Sequence, residues 1–159
     1  MKLHCLLSPN RYESGSLWAT DTTGVIFGPV PALGKADNAK AAKEGNPARE
    51  QAKPWGDTPV GTYRITGLTR GPHPPEKFGP VFIPLSPVSG VALEGWRNGR
   101  TGLAIHGGKL RPDGRLRATF GCLRLTDDDV IVLADLIGRQ LALVGEVYLD
   151  LHEQTVEVA

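Results

Sequence analysis

The sequence is short of cysteine, of net charge, of clustered histidine and of long apolar runs, and each shortage excludes something. Two cysteines, Cys5 and Cys122, in 159 residues leave room for at most one bridge, so no disulfide framework organises the chain. Eighteen basic residues against 17 acidic ones give a formal charge of +1, which provides no overall field to draw nucleic acid or an anionic membrane surface. The best apolar run, Val130 to Ile137, contains Asp135 and falls well short of the ~20 residues of a membrane helix. The opening Met1 to Pro9 has only a brief apolar stretch, interrupted by His4, so no Sec-type leader is expected. Four histidines lie scattered with no His-Glu-x-x-His or related spacing, which argues against a zinc peptidase; neither metal nor cofactor is expected.

What the chain has in quantity is glycine, 20 residues, and proline, 13, beside a 40% hydrophobic content sufficient for a core. That mixture favours turns and strands over a helical bundle, and the length points to one domain over 1–159. Leu3 to Leu7, Leu17 to Thr20 and Val25 to Phe27 read as strands of an opening meander. From Gly34 to Gly56 the chain turns polar, and this stretch reads as an active-site flap with a short helix over Ala36 to Glu44, or else as a disordered loop. Strand signals return at Gly61 to Ile65, Gly79 to Leu85 and Leu103 to Ile105, where the many prolines place strands at sheet edges. One main helix is expected from Thr126, its N-cap, to Arg139, with Asp127, Asp128 and Asp129 at the positive end of its dipole. Glu146 to His152 reads as a closing strand. The expected fold is mostly β, a mixed sandwich or barrel-like sheet with that helix after Cys122.

The chemistry concentrates between Ile105 and Leu125. A short strand delivers His106 to its end, Gly107-Gly108 turns the chain, and Cys122, directly preceded by Gly121, follows fifteen intervening residues after His106. A loop of that length can fold back to bring imidazole and thiol together, and cysteine catalysis needs such a pair because the thiolate is the nucleophile. Gly121 admits close approach of a substrate, and the N–H groups around Gly121 and Cys122 suit the oxyanion of a tetrahedral intermediate. The stretch 97–124 carries seven basic residues (Arg97, Arg100, Lys109, Arg111, Arg115, Arg117 and Arg124) against Asp113, an excess of six. Residues 125–159 reverse the sign, with eight acidic residues against Arg139. The near-neutral total is therefore a cancellation, and the basic part is expected to favour thiolate and to attract carboxylate-bearing substrates.

These residues resemble the L,D-transpeptidase catalytic domain, the YkuD-type cysteine enzymes of bacterial peptidoglycan. The resemblance rests on His106-Gly107, Thr119, Gly121-Cys122-Leu123-Arg124-Leu125 and, upstream, Asp57-Thr58-Pro59-Val60-Gly61-Thr62-Tyr63, together spanning about half the chain. It implies Cys122 as nucleophile, His106 as general base, and Gly107 as the residue whose carbonyl orients the imidazole. Phe120 stands where many members have His; that position supplies backbone to the oxyanion site with Gly121 and Cys122. Arg124 is implied to hold a substrate carboxylate or brace the loop, and Thr119, Trp96 and Arg117 are further candidate substrate contacts. The implied reaction acts on tetrapeptide stems of peptidoglycan through a thioester, giving cross-links, carboxypeptidase products or D-amino-acid exchange. The resemblance extends to small stand-alone members, some of them antibacterial effectors of type VI secretion. That implies an immunity protein or secretion apparatus as partner, and action in the periplasm or cell wall after non-Sec export.

Blander readings exist for the same residues. A free cysteine is commonly a buried inert thiol, which suits Cys5 in its apolar strand; for Cys122 the register with His106, Gly121 and Arg124 favours reactivity. His4, His73 and His152 read as structural or surface residues, and Arg111, Arg115 and Arg117 as a solvated loop face or a steering patch. Two other functional classes fit: a peptidoglycan-binding module that has lost turnover, motivated by Phe120, and a cytosolic thiol amidohydrolase on another peptide.

Overall fold

A computed structural model describes residues 1–71 and 74–155, so the reading of His73 lies outside the described residues. The opening strands form as alternation predicts: β1 (Lys2–Leu7), β2 (Gly15–Asp21) and β3 (Gly24–Ala32) place Leu3, Cys5, Leu7, Leu17 and Ala19 on one buried face. The closing strand β10 (Val147–Glu153) then inserts beside β1 in parallel, and β4 (Gly61–Ile65) pairs with its other edge. With β7 (Ser86–Ser89) this makes a six-stranded mixed sheet in the order β3-β2-β1-β10-β4-β7. A second sheet of four strands runs β5 (Thr69–Arg70), β6 (Val81–Pro84), β8 (Ala104–His106), β9 (Leu123–Arg124).

The core lies where the two sheets meet helix α3 (Asp127–Val144), whose Val130, Leu133, Ala134 and Ile137 are buried against Ile83, Ile105, Leu123 and Leu149. Burial of apolar side chains of this size stabilises by roughly 1.5–3 kcal/mol each, which outweighs the weak helix propensity of the Val- and Asp-rich first turns. Thr126 caps the helix as expected, its hydroxyl accepting from the Asp129 N–H at 3.2 Å. The helix nevertheless runs through Gly138 and stops only at Gly145, whose φ of +81° makes the left-handed cap. The packed face carries it past a glycine that costs about 1 kcal/mol.

Two other expectations change. Helix α2 (Gly90–Arg97) forms outside the one main helix expected, because it packs on β4 and β7, with buried Ala92 against Gly61 of β4 and buried Gly95 facing 51–52. Strand β6 is interior rather than at an edge: β5 pairs only with Val81 and Phe82, so Pro84 has no outer partner that needs its missing N–H. Pro87 does lie on an edge strand, β7.

The polar segment 34–56 is well built. Helix α1 (Asn38–Lys43) is capped by Asp37, whose carboxylate accepts from the Lys40 N–H at 2.9 Å. Buried Asn46 donates to the carbonyls of Glu50 and Pro54 and accepts from the Glu50 N–H. Asp57 accepts from Ala36 N–H at 2.8 Å and pairs with Arg49 at 3.1 Å, closing the segment on itself. No helix among the described residues is long and apolar enough to cross a membrane.

Candidate functional site

Strands β8 and β9 lie side by side in parallel, with His106 opposite Arg124. Cys122 stands two positions before Arg124, and side chains two apart along a strand face the same side. All three side chains accordingly open into one cleft of about 690 Å3. Its remaining walls are Gly99 to Leu103, the Phe78 and Phe82 side chains, and Asp37, Pro54 and Trp55 from the polar segment, with Phe120 beside them.

His106 is 2% exposed and held from three directions. Its ring stacks on Phe82 at 5.9 Å and meets the Phe78 edge at 5.2 Å. Its Nδ1 lies 2.7 Å from the Gly107 carbonyl, and since a carbonyl only accepts, Nδ1 carries the hydrogen and Nε2 the lone pair. Arg124 Nη1 donates to the same carbonyl at 2.6 Å. The turn behind it needs glycine at both positions, because a Cβ on Gly107 would strike the Asp127 carboxylate and one on Gly108, at φ +122°, the Arg124 guanidinium. Asp127 secures that turn by accepting from the Gly108 N–H at 2.8 Å, a role added to its place in the first turn of α3.

The cysteine loop is shaped by Thr119. Its hydroxyl accepts from the Gly121 N–H at 2.9 Å and donates to the Cys122 carbonyl at 2.8 Å, while Thr58 Oγ1 donates to the Gly121 carbonyl at 2.7 Å. The Gly121 N–H is thereby engaged inside the loop, which leaves the Phe120 and Cys122 N–H groups as candidate oxyanion donors. The upstream element has the same purpose: Thr58 braces the loop, and buried Tyr63 donates its hydroxyl to the Pro59 carbonyl at 2.5 Å.

Burial pushes the Cys122 thiol above the ordinary cysteine range; the Ala104 N–H beside the sulfur and the Arg100 and Arg124 guanidiniums pull the other way without overcoming it. The thiol donates to the Gly102 carbonyl at 3.5 Å. The expected cationic activation is therefore present but outweighed, so the proton has to be taken by a base. Cys5, by contrast, is a core thiol on β1, and both cysteines are free.

The seven basic residues of 97–124 divide sharply. Arg100 and Arg124 are buried, and with Arg117 they line the cleft. Arg111 and Arg115 pair with Asp113 on an exposed loop away from it. Arg124 donates from Nε to the Arg117 carbonyl at 2.7 Å, and burial lowers its pKa to about 10; its geometry is that of a loop brace. Arg117 donates to the Glu76 carbonyl. Trp96 stands on α2, 56% exposed and outside the cleft lining, whereas Trp55 lines it and meets the Phe120 ring at 6.0 Å. Phe120 itself is 56% exposed, with Lys40 Nζ above both rings. Two contributors escape a reading of the sequence: Arg100, which no motif marks within the basic run, and Asp127, whose cap-like position conceals its bond to Gly108.

A thiol and an oriented imidazole sharing one cleft of a mixed β fold form a site suited to cysteine acyl transfer. The family model for YkuD, the L,D-transpeptidase catalytic domain, matches residues 13–149, and the chain belongs to that family. Among solved structures it is similar to Bd1075 of Bdellovibrio bacteriovorus, at 17% identity and a TM-score of 0.57, covering 99% of this chain and 50% of that one. It is also similar to the Ldtfm–avibactam carbamoyl enzyme, at 11% identity and a TM-score of 0.51, covering 97% of this chain and 49% of that one. The chain thus spans about half the length of these structures, and the likeness shows a shared fold. No curated protein matches the chain.

Proposed function

We propose that the protein is a peptidoglycan-modifying acyltransferase of the L,D-transpeptidase type, with Cys122 as nucleophile and His106 as base. The observation that carries this reading is the Gly107 carbonyl, which accepts from His106 Nδ1 and Arg124 Nη1 and so sets the tautomer with its lone pair on Nε2, in an imidazole that lines the same cleft as Cys122. The Cys122 proton passes to Nε2 as sulfur attacks the carbonyl at the L-centre of the diamino acid in a tetrapeptide stem. The oxyanion is received by backbone N–H groups of Phe120 and Cys122, donors typically worth a few kcal/mol each. His106 then returns the proton to the departing D-Ala amine, leaving a thioester. Water yields the carboxypeptidase product, a free D-amino acid yields exchange, and the side-chain amine of a second stem yields a cross-link.

Mass spectrometry of tetrapeptide muropeptides after incubation with wild type and Cys122→Ala tests this. New tripeptide, exchanged or cross-linked species are expected only with wild type; their absence there would count against it. The reading of the enzyme as a delivered effector places its target outside the cytoplasm. Fusion to a periplasmic leader should lyse or reshape cells while cytoplasmic expression leaves them unaffected, and the reverse pattern would sink that part. The exposed Phe120 beside the half-buried Trp55 also suits a binding module, and a biological effect surviving in Cys122→Ala would favour it.

A further inference from the structure

Arg100 lies just beyond α2 and is 3% exposed. Its Nη1 donates to the carbonyls of Gln51 at 2.9 Å and Lys53 at 3.0 Å, and its Nη2 to that of Gly56 at 2.6 Å. These carbonyls flank Trp55, whose φ of +69° is a conformation that a bulky residue keeps only when its surroundings hold it. The guanidinium also lies against the cysteine loop. At Gly121, with φ +119°, an added Cβ would run into Arg100 Nη2 and come within 2.6 Å of the Gly56 carbonyl, so glycine is what lets loop and arginine meet. The partners of this cation are carbonyl dipoles, which satisfy its donors without neutralising its charge.

We propose that Arg100 is a positioning residue for the acyl-transfer site: it clamps the Trp55 turn against the cysteine loop and sets a fixed positive charge beside the Cys122 sulfur. The inference rests on Cys122 as the reacting group, and it adds a residue outside every motif discussed above. The groups facing the thiol are His106 on β8, Arg124 on β9, Tyr63 on β4 and Arg100 itself, with Asp37, Lys77 and Arg117 elsewhere on the cleft wall and Lys40 above the aromatic pair. Burial pushes the Tyr63 phenol up, so it stays neutral. Arg124 is committed to the Gly107 and Arg117 carbonyls. Arg100 is the cation that joins the sulfur to the opposite wall.

The two parts of the role move the thiol in opposite directions. Losing the charge raises the apparent pKa of Cys122, whereas losing the clamp exposes the thiol and lowers it. The test is the pH dependence of Cys122 alkylation by iodoacetamide, read by mass on the full chain, in wild type, Arg100→Met and Arg100→Lys. Arg100→Met should shift the midpoint upward by about one unit, slowing alkylation below it about tenfold, and Arg100→Lys, which keeps the charge and loses the clamp, should bring it back to the wild-type value or below. A midpoint at or below wild type in Arg100→Met overturns the proposal. Should Arg100→Met not fold, Arg100→Lys decides. A single ammonium cannot span three carbonyls, so faster amide hydrogen exchange over 51–56 with a midpoint at or below wild type supports the role, and unchanged exchange or a midpoint above wild type overturns it. Alkylation needs no turnover, so the result stands apart from the muropeptide experiment.

Discussion

Cys5 is buried and Cys122 half-buried, and their surroundings treat the thiol differently. At Cys5, on β1 in the centre of the six-stranded sheet, burial pushes the thiol to about 12 and only Arg11 opposes it. At Cys122 burial also raises the thiol, but the Ala104 N–H, Arg100 and Arg124 all oppose it, and His106 shares the cleft. A core strand surrounds its cysteine with apolar side chains and one distant cation, Arg11. The margin of the small sheet surrounds the other with a base, two cations and a backbone donor. Burial alone makes an inert thiol; what distinguishes the second site is the set of polar groups that burial brings with it.

The largest effect that would break this contrast is at the sulfurs. Cys122→Ala should lose turnover by at least about a thousandfold, whereas Cys5→Ala should keep it within a few-fold and cost about 1–2 kcal/mol of stability in urea titration. Comparable losses of activity in both would erase the distinction. His106→Gln, with thiol and fold intact, should reduce turnover by about 10²–10⁴ in steady-state assays. Gly121→Ala sets a Cβ against Arg100 and the Gly56 carbonyl at a positive φ, and a loss of roughly tenfold to a hundredfold with a lowered thermal midpoint is expected. The smallest effect concerns Cys5. Its pKa is higher folded than unfolded, so the native state holds the proton more tightly and stability falls as pH rises between about 8.5, the unfolded value, and about 12, the folded one. Chemical denaturation across that range should show a shallower alkaline decline in Cys5→Ala than in wild type, on top of the decline of the same sign that buried Tyr63 gives both proteins.

Much of this contrast was legible in the residues. Alternation marked β1, β2, β4 and β10, and Thr126 with three following aspartates marked the start of α3. The His106-Gly107 and Gly121-Cys122 elements, at strand ends joined by a loop long enough to return, pointed to one shared site, and both groups line one cleft. What stayed hidden depends on contacts distant in sequence. Helix α2 is made by packing on β4 and β7 rather than by its own propensity, and β6 escapes an edge because β5 pairs along it, while the two-residue length of β5 leaves Pro84 unpaired. The basic run shows its excess charge without showing that Arg111 and Arg115 spend theirs on Asp113 while Arg100 reaches back to 51–56. Trp96 and Trp55 look alike as candidates in one dimension, and only the fold of 34–56 brings the second into the cleft.

The central claim is that Cys122 carries an acyl group from a stem peptide. Intact-protein mass spectrometry of the protein mixed with a tetrapeptide muropeptide and quenched in acid tests it directly. The account predicts a mass increase equal to the muropeptide less D-Ala, mapped by proteolysis to the peptide containing Cys122 and absent in Cys122→Ala. Conversion of the muropeptide with no adduct at Cys122, or an adduct that persists in Cys122→Ala, would contradict it.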